Sequence, residues 1–251
     1  MKAALRFARL CALSPKSAAE EINTPEALRA ALSLWLIWVV ASSLFTWLKP
    51  AGFPEPTAAG LAPHPPLFWL RVLFWQPVLA AVLVGFVGIA LRWLGSGWLA
   101  LKLATGVAWS VLPFLLSFAY VKGHMSGASA SILLGGWLAV TAWYGKGVAP
   151  EAWRRVASAM LGLNGIPLLS LAVELVIIPT GSLTAYKSLM VVVLLWVLGA
   201  AALIFKRSEN LSTPRALAAV FFSLLAQNIF VGTAVLLGWL PLEVLKVLMY
   251  A

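Results

Sequence analysis

Seven long apolar segments, joined by short connections, occupy the chain from about Ala31 to Leu240. A helix needs roughly 20 apolar residues, at 1.5 Å rise each, to cross a hydrocarbon core. The pattern therefore predicts an all-α, polytopic transmembrane bundle of about seven spans. These are Ala31 to Leu48, Leu67 to Leu91, Trp98 to Val121, Ala128 to Tyr144, Val156 to Pro179, Leu189 to Phe205 and Ala216 to Leu240. The runs are continuously apolar and lack period-two alternation, which favours helices over a barrel. Little chain remains for a soluble domain, so activity belongs in the bilayer, in the loops or on residues 1–30.

Charge is sparse, at 10% of residues against 62% hydrophobic, and lopsided: 18 Lys and Arg face eight Glu, with no Asp. The formal charge of +10 follows topology rather than nucleic acid. Assigned to the two sides of the predicted bundle, thirteen cations fall on one and five on the other. The rich side holds Lys2, Arg6, Arg9, Lys16, Arg29, Arg92, Lys102, Lys146, Arg154, Arg155, Lys206, Arg207 and Arg215. Basic residues collect in cytoplasmic loops, so the N-terminus is expected inside and the C-terminus outside.

Residues 1–30 form a cytoplasmic arm. Arg6, Arg9, Ser14 and Pro15 interrupt any signal-peptide apolar region. Lys2, Arg6 and Arg9 share a helical face and are the candidate contacts with an anionic inner leaflet; a solvated tail is the alternative. Ser14-Pro15 and Thr24-Pro25 read as helix starts. The connector from Lys49 to Pro66 holds six prolines and reads as a stiff, extended loop.

Absent groups exclude whole chemistries. Without Asp there are no paired aspartates for proteolysis and no Asp-rich metal site. His64 and His124 fall in predicted outer loops, opposite Cys11, which blocks a Cys–His pair. No phosphate-cradling glycine motif occurs. The expectation is a non-enzymatic protein without a cofactor or metal, whose partners are the bilayer and other membrane proteins or further copies of itself.

Polar groups inside the spans are the candidate site. Glu174 lies in L-A-V-E-L-V-I-I-P, Asn164 in G-L-N-G-I-P, Gln76 before Pro77, and Gln227 with Asn228 in the seventh span. Amides in hydrocarbon either glue helices together or line a polar path. Gly85 with Gly88, Gly135 with Gly136, Gly162 with Gly165, and Gly199 mark expected close approaches.

The stretch L-S-P-K-S-A-A-E-E-I-N-T-P-E-A-L-R-A-A-L-S-L-W-L from Leu13 to Leu36, then G-V-A-W-S-V-L-P-F-L-L from Gly106 to Leu116, then Trp137 and Trp143 before a basic loop, resembles bacterial Yip1-domain proteins. The resemblance covers residues 1 to about 180 and implies a five-helix core at 31–180, followed by two further spans in 181–251. The acidic Tyr-Gly-Pro motif of eukaryotic members is missing. The resemblance implies a bacterial inner-membrane protein with a scaffold or adaptor role in membrane organisation or trafficking. The alternative drawn from the intramembrane amides is a transporter or channel for a small solute, ion or lipid.

Overall fold

Proline opens many of the helices in this chain. Its missing N–H costs nothing at the first helical position, and its fixed φ is already helical. The computed structural model describes residues 2–48 and 66–250. Its elements are α1 (Lys2–Leu13), α2 (Pro15–Glu21), α3 (Pro25–Leu48), α4 (Pro66–Leu94), α5 (Leu99–Val121), α6 (Gly127–Gly145), α7 (Pro150–Gly162), α8 (Gly165–Ile177), α9 (Leu183–Ser208), α10 (Thr213–Leu236) and α11 (Leu242–Tyr250). Among the described residues there is no strand. The proline-rich connector, with His64, lies outside the described residues except for Pro66, which opens α4.

Six helical units are long and apolar enough to cross a membrane: Pro25–Phe45, Leu70–Leu94, Leu99–Val121, Pro150–Thr180, Leu183–Ser208 and Thr213–Leu236. The expected fourth span, α6, is 19 residues long and is not among these six units.

α10 sits centrally against α4, α5 and α9, while α3 lies along α7 and α8. α6 packs on α5 and on α4. The main buried core joins α1, α2, α3, α4, α7, α9 and α10 at the end of the bundle where the arm lies. It is rich in alanine, including Ala200, Ala201, Ala216 and Ala219, which lets helix axes approach closely where lipid gives no hydrophobic drive to associate. A smaller core of Val72, Ala234, Leu240 and Val244 closes the opposite end, where α11 folds back onto α4.

Two expectations are sharpened or corrected. The fifth span, expected from Val156 to Pro179 with Pro167 inside it, is one apolar unit, Pro150–Thr180, interrupted between α7 and α8. Pro167 cannot donate to the Leu163 carbonyl, which instead accepts a tighter bond from the Ile166 N–H at 3.0 Å. Leu163 and Asn164 form the turn between α7 and α8.

The second concerns the arm, which is neither a solvated tail nor only a surface helix. Phe7 and Cys11 are fully buried, and Ala4, Ala8 and Ala12 nearly so. They enter a notch at the helix break. A Cβ on Gly162 would stand 2.4 Å from Phe7 Cε1, and one on Gly165 2.8 Å from Ala8 Cβ. The Trp196 indole donates to the Ala12 carbonyl at 2.9 Å, satisfying the end of α1. Thr24 Oγ1 caps α3 by accepting from the Ala27 N–H at 3.2 Å.

The glycine expectations divide. Gly88 meets the Trp153 ring, and Gly162 and Gly165 meet α1, whereas Gly85, Gly135, Gly136 and Gly199 have open space where a Cβ would be.

Cations cluster at the arm end and several act as clasps. Arg6 pairs with Glu21 at 2.9 Å, Arg207 with Glu20 at 2.7 Å, and Arg155 with both oxygens of Glu209 at 2.8 and 3.1 Å. Arg215 donates to the Leu94 and Gly97 carbonyls, and Arg92 to the Tyr144 carbonyl at 2.6 Å. These bonds satisfy carbonyls that helix ends leave open.

Candidate functional site

Between the two dry cores lies a cavity of about 200 Å³. Its walls come from Trp35 and Trp38 on α3, the stretch from Gln76 to Val84 on α4, Met160 and Leu161 at the end of α7, Asn164 in the break, and Gln227 on α10. Each lies near the middle of its helical unit. Three of the five polar residues singled out by sequence, Gln76, Asn164 and Gln227, thus meet in one place.

Each amide reaches the cavity for a local reason. Gln76 precedes Pro77, which lies inside α4. Asn164 sits in the break forced by Pro167 and donates to its own preceding turn, to Met160 O at 3.3 Å and Leu161 O at 3.0 Å. Gln227 crosses to α4 and donates to the Leu79 carbonyl at 3.3 Å. An amide carries two N–H donors and one carbonyl acceptor. Asn164 and Gln227 therefore spend donors on the protein and keep their carbonyl oxygens. Gln76 is 6% exposed, and among the described residues no hydrogen bond of its side chain is seen. The Gln76 amide lines the cavity and can hydrogen-bond an occupant there.

The cavity has no charged lining residue. A bare ion would lose several kcal/mol of solvation there with no countercharge. What the arrangement can hold is a neutral molecule with both donors and acceptors, its flat or apolar face against Trp35 and Trp38. Sequence reasoning missed these two tryptophans. The available signal was their i, i+3 spacing, which puts both on one face of α3.

The other candidates lie apart. Glu174 is buried on α8 at 4% exposure, with the Ser170 hydroxyl 3.4 Å from Oε1, and does not line the cavity. Asn228 is exposed and donates back to Leu224 O at 2.8 Å within α10. Lys2 and Arg9 are exposed on α1, as is Arg6 beside Glu21. Among the described residues no three His, Cys, Asp or Glu side chains gather as a metal site.

No family model, curated protein or solved structure matches the chain.

Proposed function

We infer that the chain is an integral membrane protein that binds and conducts a small, uncharged, hydrogen-bonding solute through the middle of its bundle. One observation carries this reading: amides from α4, the α7–α8 break and α10, far apart in sequence, converge on one cavity. A broken helix lining a mid-membrane cavity is the arrangement by which transporters offer backbone and side-chain polarity to a solute. The orientation follows from the basic bias, with the arm end in the cytoplasm. α6 serves as the seventh crossing, since an odd number of crossings returns the chain between α5 and α7.

An adaptor role acting through residues 1–24, as the Yip1 resemblance suggests, gains no support from this geometry. The apolar face such an arm would offer a partner is used inside the bundle.

The test uses the purified chain in proteoliposomes, with osmotic shrinkage and reswelling in urea or glycerol, and potassium chloride as the charged control. The wild type is expected to raise permeability to at least one neutral probe above protein-free vesicles, with no rise for potassium chloride. Gln76→Leu and Asn164→Leu should each lower that rise at least several-fold. Protein-free permeability to both neutral probes, from folded wild-type protein, refutes conduction.

A further inference from the structure

A second opening lies between α4, α5, α6 and α10, and its chemistry is opposite to that of the amide cavity. One chamber of about 270 Å³ is walled by Phe86, Trp93, Trp109, Tyr144 and Phe222. A second, of about 480 Å³, runs along α6 past Trp137, Leu138 and Trp153 to Lys146. Phe86, Ile89 and Thr141 line both, so they form one groove.

The polar atoms of this groove are mostly used up. The Trp109 indole donates to Thr141 Oγ1 at 3.0 Å, the Trp137 indole to the Trp109 carbonyl at 2.9 Å, and the Trp93 indole to the Lys102 carbonyl at 2.9 Å. Thr141 donates to the Trp137 carbonyl and Thr105 to the Leu101 carbonyl. The Ser110 and Tyr144 hydroxyls remain for an oxygen acceptor. A surface of aromatic rings with satisfied N–H groups suits a hydrocarbon chain and gives a polar solute nothing to bond.

Charge appears at one end alone. Lys146 follows α6, is exposed and has no ion pair among the described residues. Beside it Arg92 lies 4.6 Å over the Tyr144 ring, and Lys102 lies 5.3 Å from the Trp93 ring. The nearby Glu209 carboxylate is already held by Arg155. The groove therefore joins a long apolar slot to a mouth at the level of the helix ends where Lys146, Arg92 and Lys102 outnumber Glu151 of α7, the one nearby acid without an ion pair among the described residues.

The geometry points to this groove as a binding site for one anionic glycerophospholipid of the leaflet at the arm end. An acyl chain lies between α4 and α6, the ester oxygens lie toward Ser110 and Tyr144, and the phosphate headgroup meets Lys146. The site is separate from the amide cavity and stands without the conduction reading, requiring only that the bundle sits in a bilayer.

The experiment takes the full chain in detergent with dioleoylphosphatidylglycerol or dioleoylphosphatidylcholine, and counts retained lipid by native mass spectrometry. In parallel, tryptophan quenching is compared for the two lipids with brominated chains. Wild-type protein is expected to retain the anionic lipid about fivefold over the zwitterionic one, the preference that one near-surface cation supplies, and to be quenched more strongly by it. Lys146→Glu should bring that preference to parity or below. Gly85 lines the groove and has nothing within 4 Å of where a Cβ would be, so Gly85→Leu fills the slot without touching the core. It should lower retention several-fold with thermal unfolding unchanged. Equal retention and equal quenching by the wild type mean annular lipid only and overturn the proposal, as does wild-type retention in folded Gly85→Leu. Should Gly85→Leu misfold, the quenching comparison on wild-type protein decides alone.

Discussion

Cys11 shows how fully the arm belongs to the protein. Burial, helped by the nearby charge of Glu21, pushes its thiol from 9.0 up to about 12. The folded state therefore holds the proton more tightly than the unfolded chain. The stability tied to this group is complete below about pH 9 and is lost as pH rises toward 12. Alkylation requires the thiolate. Iodoacetamide labelling of folded protein at pH 8 should thus be at least tenfold slower than that of the protein unfolded in denaturant. Equal rates in the folded and unfolded protein would show the thiol in water. Gly162→Val tests the notch from the other side, since its Cβ would overlap Phe7. It should raise the rate of Cys11 labelling at pH 8 at least tenfold, whereas Phe7→Ala should lower unfolding stability by about 3–5 kcal/mol through an unfilled cavity. The basic residues of this arm were plain in the sequence, and so was its helical face. What it packs against was not, because Gly162 and Gly165 read equally well as contacts between two spans.

At the scale of elements, the break between α7 and α8 was hidden by composition. Val156 to Pro179 is apolar throughout, and a proline inside a span signals a kink without giving its size. The cue lay in combination: a glycine on each side of Leu163-Asn164, then Pro167, so that the turn has both conformational freedom and a missing donor. The three cavity amides were each legible as polar residues within spans. Their convergence was not, since hydropathy fixes how deep a residue lies but not which way its helix is turned. Glu174 illustrates the same limit, as its depth alone did not separate a cavity residue from one packed beside Ser170. Clasps at the arm end act at this scale too. Arg155 and Glu209 tie α7 to the connection after α9 through two half-buried bonds. Arg155→Gln should cost about 1.5–3 kcal/mol, as for hydrogen bonds to charged groups, read by thermal unfolding in detergent at low salt and again at high salt. Loss that vanishes in high salt would mark the pair as a surface contact only.

For the whole molecule, the helical membrane architecture was the most legible property, because length and apolarity are local and the six strongest units satisfy both. The positive bias also pointed to one end, but its cations were read as topological signals when many are hydrogen-bonded clasps as well. The arm makes the largest difference between the two views. If residues 2–21 were a detachable tail, removing them would leave the bundle intact. Because Phe7, Cys11, Ala18 and Ala19 belong to the main core, their deletion is expected to lower the unfolding temperature markedly. An unchanged unfolding curve would show the bundle standing without its arm.

The bond between Trp196 and Ala12 spans 184 residues of chain, and that separation sets a delay. At about 5–20 residues per second of synthesis, roughly 10–40 seconds pass between the emergence of Ala12 and that of its partner. The two glycines of the notch arrive little earlier. Throughout that interval Phe7 has no seat inside the protein, although α1 can already coil with Lys2, Arg6 and Arg9 along one side and its apolar residues along another. An amphipathic helix in that position rests on the membrane surface. The arm is thus made long before the residues that bury it, and the proposed bilayer contact of its basic face would give it a place to wait.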